Sequence, residues 1–282
     1  MKFNKVVIIG MGLIGGSLGK ALLEKGLAEE VVGVCRRQSS LDRAVNSGVL
    51  TSGYVNDYPE ATRGADIVVI ATPVQAIKKV LKDLAEGLKG DVIVTDVGST
   101  KGEIVSFAET FKGRYSFVGA HPLAGSEKTG VEYARADLFH GSLCILAETG
   151  STNKEDLSKV RQLWESVGAR VDVLSPEEHD EIIAFTSHLP HVVAYSLAGS
   201  QREDFVRFMS TGFKDTTRIA SSDPVLWKGI LLSNRKNVLK SVQKFRSVLD
   251  GIEKAIDKGD QETLEEMLSE CKRVRDGLFH EK

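Results

Sequence analysis

Apolar residues along the first 174 positions come in short runs separated by segments of helical spacing. The run "KVVIIG" at residues 5–10 is rich in β-branched residues and predicts a buried strand. A glycine turn and an amphipathic helix follow in "GMGLIGGSLGKALLEKG". The alternation then repeats, with "EVVGVCR" before "LDRAVNSG", "ADIVVIATP" before "VQAIKKVLKDLAEGL", and "DVIVTDVGS" before "TKGEIVSFAETF". Three more strand-like runs, "YSFVGAHP", "SLCILAE" and "ARVDVL", complete this half. Strands alternating with helices predict a parallel sheet covered on both faces.

The pattern changes after "LSPEEHDEIIAF". From Pro176 onward no strand is predicted, and helical spacing dominates stretches such as "QETLEEMLSECKRVRDGLF". The chain is therefore expected to divide into a doubly wound α/β domain, residues 1–174, and an all-α domain, residues 175–282. No internal repeat or low-complexity segment interrupts either part.

Composition narrows the class. Of 282 residues, 41% are hydrophobic and 27% charged, the range of a soluble globular protein. The net charge of −2 supplies no basic field for nucleic acid, so none is expected as a partner. Cys35, Cys144 and Cys271 are scattered and odd in number, which suits a reducing cytoplasm and argues against structural zinc. The N-terminal apolar run is too short to span a bilayer, so no membrane association is expected.

Gly10, Gly12 and Gly15 form G-x-G-x-x-G, with Leu13 and Ile14 between the last two, directly after a strand and before a helix. The first glycine permits a tight turn, the second close approach of a pyrophosphate, and the third tight helix–strand packing. In that context the motif predicts a Rossmann-type dinucleotide site. The second strand ends in Arg36, Arg37, Gln38 and Ser39, with no acid to hold a ribose 2′-hydroxyl. Two guanidiniums beside a hydroxyl match a 2′-phosphate, so NADP is expected ahead of NAD. Ordinary surface charge is the alternative for both arginines. Strand ends line the ligand crevice in this fold, which places Thr72 and Pro73 along the cofactor and Ser99 and Lys101 at the same edge.

His121 follows another strand end, in "GAHPLAGSEKTG". Downstream, "SHLPH" spaces His188 and His191 three apart around Pro190, and "GFKDTTRIASSDPVLW" offers Lys214, Asp215, Arg218, Asp223 and Trp227. No third ligand stands at a recognisable spacing from the two histidines, so no metal is expected.

Together "GMGLIGGS", "TDVGSTK", "GAHPLAGSEKTG", "SHLPH" and "GFKDTTRIASSDPVLW" resemble the TyrA family of prephenate and arogenate dehydrogenases, in order and over nearly the whole chain. The resemblance implies NAD(P)-dependent oxidative decarboxylation of a cyclohexadienyl ring in tyrosine biosynthesis, and a homodimer through the helical domain. It implies His121 as the base, with small neighbours that admit ring and nicotinamide, and Ser99 as the serine that bonds this His and the substrate hydroxyl. It also implies Arg218 as the carboxylate clamp, with His188, His191, Ser126 and Trp227 lining the pocket. Glu127 and Asp215 resemble family acids that form an ionic network with Arg218; surface charge is their alternative. Activity on both prephenate and arogenate is expected, with Glu127 favouring arogenate.

Two other readings compete. A β-hydroxy-acid-type dehydrogenase of the same plan uses a helical-domain lysine, for which Lys214 is the candidate. A non-catalytic NADP-binding sensor need not carry His121, Ser99 and Arg218 together.

Overall fold

The computed structural model describes residues 2–88, 90, 92–125 and 128–277. Eight strands are present: β1 Phe3–Ile9, β2 Ala28–Cys35, β3 Ser52–Val55, β4 Ile67–Ile70, β5 Ile93–Asp96, β6 Ser116–Pro122, β7 Leu143–Ala147 and β8 Arg170–Leu174. The helices among them are α1 Leu13–Glu24, α2 Gln38–Asn46, α3 Tyr58–Thr62, α4 Val74–Gly87, α5 Gly102–Glu109 and α6 Lys154–Ser166. Only helices follow among the described residues: α7 Pro176–Ile183, α8 Leu189–Gly199, α9 Thr211–Thr217, α10 Pro224–Ser233, α11 Arg235–Lys258 and α12 Gln261–Gly277, with short 3-10 turns between some of them. No described helix is long and apolar enough to cross a membrane.

The strands form one sheet in the order β3-β2-β1-β4-β5-β6-β7-β8. Its central strands are mostly apolar because both faces are covered. In β1, Val6 and Ile8 join one core with Leu18, Leu22 and Trp164, while Val7 and Ile9 join the other with Ile77, Leu81 and Leu84. The order reverses between β1 and β4, which opens the crevice at the carboxyl ends of these two strands.

Two features differ from the pattern expected of the sequence. Strand β3 was not anticipated, because "SGYV" carries no apolar run. Its Gly53 is needed by packing, since a Cβ there would lie 2.4 Å from Leu41 Cδ1 and 2.7 Å from the Gly33 carbonyl oxygen. Second, β6 and β7 pair antiparallel, whereas every other pair in the sheet is parallel. Parallel neighbours need a crossover, usually a helix. Between β6 and β7 the described chain has only a single 3-10 turn, Val131–Tyr133, so the strand returns antiparallel.

The helices after β8 begin with a capping box. The Ser175 hydroxyl accepts from the Glu178 N–H, and the Glu178 carboxylate accepts from the Ser175 N–H. Helix α10 is capped by Asp223, which accepts from the Val225 N–H at 2.7 Å, and it packs on α4 where Gly229 leaves room for Gln75. Packing divides the chain into a compact unit over Met1–Arg235 and a second over Lys236–Lys282.

The edge of the sheet that carries the site is tied by a buried ion pair. Lys101 and Asp96 are both fully inaccessible. The Lys101 ammonium donates to Asp96 and to the Ala120 carbonyl at 2.8 Å. Asp96 in turn accepts from Gly98 N–H at 2.8 Å and Ala120 N–H at 3.2 Å. Three backbone groups, from Gly98 after β5 and Ala120 on β6, thus share one charge pair. Lys101→Met keeps the apolar stem and leaves the Asp96 carboxylate buried without its counter-charge. The expected loss is about 3–5 kcal/mol of stability, read as a lower urea midpoint; an unchanged midpoint would show that the pair does not hold this edge.

Candidate active site

The phosphate-binding end of the crevice is built from absent side chains. Gly10 adopts φ 102°, and a Cβ there would lie 2.6 Å from the Ala71 carbonyl oxygen. A Cβ on Gly15 would lie 2.1 Å from the Gly10 carbonyl oxygen, so α1 can meet β1 only without one. At Gly12 a Cβ would meet nothing within 4 Å, which leaves open space over the start of α1. That helix has no side-chain cap and no acid in its first turn. Its N–H groups, with Leu13 and Ile14 at their head, can therefore serve an anion. Beside them Thr72, next to Pro73 at the start of α4, has a buried hydroxyl with no partner. Open glycine space, uncapped N–H groups and an orphaned hydroxyl fit a dinucleotide.

Arg36, Arg37 and Gln38 are exposed where β2 ends. The Arg36 carbonyl is held by the Asn56 side-chain amide at 3.1 Å, and Asn56 adopts φ 51° to reach it. Gln38 turns to Asp42 instead, donating at 2.8 Å.

His121 lies near the end of β6, 8% exposed. Its placement follows from the ion pair, since Ala120, the residue before it, holds Lys101 and Asp96 through both backbone groups. The glycine before that has a packing role: the space beside Gly119 is filled by the Lys101 stem, 3.2 Å from where a Cβ would stand. That space was expected to admit substrate and nicotinamide. His121 Nδ1 is 2.8 Å from His179 Nε2, and His179 Nδ1 is 2.8 Å from Asp180 Oδ1. Asp180 also accepts from the backbone N–H groups of Lys101 at 2.7 Å and Gly102 at 2.9 Å, at the start of α5.

Neither His179 nor Asp180 was anticipated from the sequence. The only signal was a His-Asp pair in the first turns of a helix, "PEEHDEII", far from His121 along the chain. Ser99, expected to bond His121, is half-buried and makes no hydrogen bond to it. His121 Nδ1 is met by His179 instead.

The helix after His179 widens. Ala184–His188 forms a π-helical turn just before Pro190. Proline has no N–H to donate back along the helix, and a widened turn accommodates its ring. This brings two histidines against Trp227. His191 stacks on it with ring centroids 3.4 Å apart, and His188 meets it edge-on at 6.1 Å. His191 Nδ1 donates to the Ser187 carbonyl at 2.9 Å. Asn234 donates to the Asp180 carbonyl at 2.6 Å and lies 3.3 Å from His188 Nδ1, so His188 carries its proton on Nε2, a buried atom with no partner.

Arg218 begins a 3-10 turn, is exposed, and acts electrostatically on His191. Asp215 is exposed on α9, and no ion pair joins it to Arg218; the helix ends at Thr217, between them. Lys214 is exposed on the same helix. Ser126 and Glu127 lie outside the described residues.

Burial holds the imidazoles neutral. It pushes His121 well below the usual range, helped by His179, Lys101 and His188. It also lowers His179 against the opposing bond from Asp180. Burial alone would raise Asp180, but His179 and the two N–H groups outweigh it and hold the carboxyl low. His188 is pulled down to about 4, chiefly by burial. Its neutral form is favoured in the folded state, so the stabilisation is fully present above the ordinary value near 6.5 and is lost as pH falls toward 4. Between pH 7 and 5 His188 should account for about 2 kcal/mol. Urea midpoints should therefore fall over that interval, and fall less in His188→Gln; an identical fall in both proteins would overturn the assignment.

Comparison with known proteins matches this architecture along its length. Residues 18–173 match the family model for the nucleotide-binding domain of prephenate dehydrogenase, and residues 175–270 match its dimerization domain. A prephenate dehydrogenase of Bacillus subtilis is 34% identical over 98% of this chain and 76% of its own length. A cyclohexadienyl dehydrogenase of Zymomonas mobilis is 34% identical over 97% of this chain and 95% of its own. The crystal structure of prephenate dehydrogenase from A. aeolicus, in complex with hydroxyphenyl propionate and NAD+, superposes with a TM-score of 0.91 at 36% identity, covering 99% of both chains. With a dinucleotide crevice, a buried histidine at its edge and this agreement across both halves, the chain belongs to the prephenate dehydrogenase family.

Proposed function

We propose that this chain oxidatively decarboxylates prephenate and arogenate with a nicotinamide cofactor, in tyrosine biosynthesis, with His121 as the base. The observation that carries the reading is the state of His121. It is neutral, buried at a strand end beside the dinucleotide crevice, and bonded through Nδ1, so that Nε2 is the nitrogen left for a substrate. Lys214, the base of the competing β-hydroxy-acid reading, is exposed on α9.

The bound nicotinamide supplies the hydride acceptor for C4 of the ring. As that hydride leaves, His121 takes the C4 hydroxyl proton at Nε2. The ring carbonyl so formed draws in the electrons of the C1–carboxylate bond, carbon dioxide departs, and the ring becomes aromatic. His121 returns its proton to the phenolate oxygen, so the protein is unchanged. Aromatisation makes the sequence downhill, and positioning with one base suffices. Trp227 and the stacked His191 wall the ring, and His188 offers its Nε2–H to a substrate oxygen. Arg218 binds a carboxylate through its planar fork, and Ser99 meets the C4 hydroxyl.

Glu127, six residues after His121 in the sequence, is the residue this reading assigns to the ammonium of arogenate. A homodimer through the helical residues is supported by the dimerization-domain match and by exposed Leu239, Leu249, Ile256, Leu268 and Val274 on α11 and α12. NADP is the preferred cofactor in this reading, on the exposed Arg36 and Arg37 and the lack of an acid at that strand end.

Reduced cofactor should appear when the enzyme is given prephenate or arogenate, and His121→Asn should lower turnover by roughly 10²–10⁴ with cofactor affinity nearly unchanged. Near-normal turnover in that variant would remove His121 from the role. Replacing Arg36 and Arg37 together with glutamine should weaken NADP and spare NAD. Equal losses for both cofactors, or a native preference for NAD, would refute the phosphate-reading role.

A further inference from the structure

His121 has two nitrogens, and only one tautomer leaves the crevice-facing one basic. With the proton on Nδ1, Nε2 carries a lone pair; with the proton on Nε2, it has none to offer. The chain of groups behind His121 bears on that choice. Asp180 accepts from Lys101 N–H, Gly102 N–H and the His179 ring, and it sits where α5 begins, a position that favours negative charge. A carboxylate so held can only accept. His179 Nδ1 must therefore carry the proton it donates to Asp180. His179 is fully buried and neutral, so its Nε2 is left with a lone pair. That lone pair faces His121 Nδ1 at 2.8 Å. His121 must donate there, which puts its own proton on Nδ1 and its lone pair on Nε2.

We propose that His179 and Asp180 are positioning residues that set the tautomer of His121 and so aim its basic nitrogen at the substrate. They act through His121 and touch no reacting atom. The other charged groups around them are the Lys101–Asp96 pair, which compensate each other, and His188, linked to Asp180 through Asn234. When His121 takes a proton, the same chain receives the charge: the Nδ1–H of the imidazolium points at the His179 lone pair, backed by the Asp180 carboxylate. The inference rests on the reading of His121 as the base, but its structural half stands apart from activity.

The test uses the full-length protein, labelled with ¹⁵N in its histidine rings. In the wild type the His121 signals, identified by their loss in His121→Asn, should show a protonated Nδ1 and an unprotonated Nε2. His179→Asn places an amide near the old Nδ1 position, keeps the contact with Asp180, and ends short of His121. It should lower kcat about 10- to 100-fold, leave KM for cyclohexadiene and cofactor within about threefold, and release His121 to the other tautomer or to a mixture. His179→Gln reaches the old Nε2 position with an oxygen that accepts, and should restore most of kcat and the wild-type ring signals. If His179→Asn does not fold, the wild-type spectrum and the Gln variant still decide. A wild-type His121 protonated on Nε2 would overturn the proposal, as would undiminished kcat in a folded His179→Asn. Full activity in His121→Asn would instead remove the base reading, leaving the tautomer spectrum to judge the relay.

Discussion

The Lys101–Asp96 pair is the constraint on which the site depends. Two opposite charges without access to water are stable only when nearly every polar atom has a partner. Those partners are backbone groups of Gly98 and Ala120, so satisfying the pair fixes the turn after β5 and the path of β6 together. His121 is then one residue beyond a pinned amide. The stem of Lys101 passes over Gly119, and its backbone N–H, with that of Gly102, points at Asp180. One ion pair therefore positions His121 and also the anchor of the groups behind it. The same residue that fills the space beside Gly119 makes that glycine a packing requirement, which answers why small residues precede the histidine.

The helices after β8 complete the crevice by a local irregularity. A regular α-helix over residues 176–199 would have to carry Pro190 in its interior, at a cost of about 3 kcal/mol. The π-helical turn at Ala184–His188 absorbs the proline and changes the phase of everything after it. His188 and His191, three apart, reach one indole from two directions. Asn234 ties His188 back to Asp180 within the same compact unit.

The alternation of strands and helices, the glycine fingerprint and the position of His121 were legible in the sequence, because each depends on residues close together in the chain. Strand β3 was not, since a short strand beside Gly33 and Gly53 is set by backbone approach and not by apolar pattern. The antiparallel β6–β7 pair follows from the lack of a crossover helix among the described residues between those strands. His179 and Asp180 were hidden for a stronger reason. Their meaning comes from contacts 58 to 79 residues away, and in isolation they read as the polar first turns of a capped helix. Ser99 shows the converse: the resemblance implies a bond from it to His121, whereas the group that meets His121 Nδ1 comes from that helix.

A histidine held so far toward its neutral form looks weak for the role proposed for His121, taking a proton from an alcohol, and that weakness fits the chemistry. An alcohol is a far poorer acid than imidazolium, so proton transfer before oxidation is uphill for any histidine. As hydride leaves C4, the oxygen becomes that of a protonated carbonyl and turns strongly acidic, and even a weak base then suffices. Proton removal is thereby tied to oxidation and does not precede it. The second half of the reaction asks the opposite of the same nitrogen. Loss of carbon dioxide leaves a phenolate that needs a proton, and an imidazolium destabilised chiefly by burial gives one up readily. Desolvation thus costs little in the first step, because the oxygen's acidity rises to meet it, and it steepens a last step that is already downhill, since a phenol holds its proton far more tightly than an imidazolium.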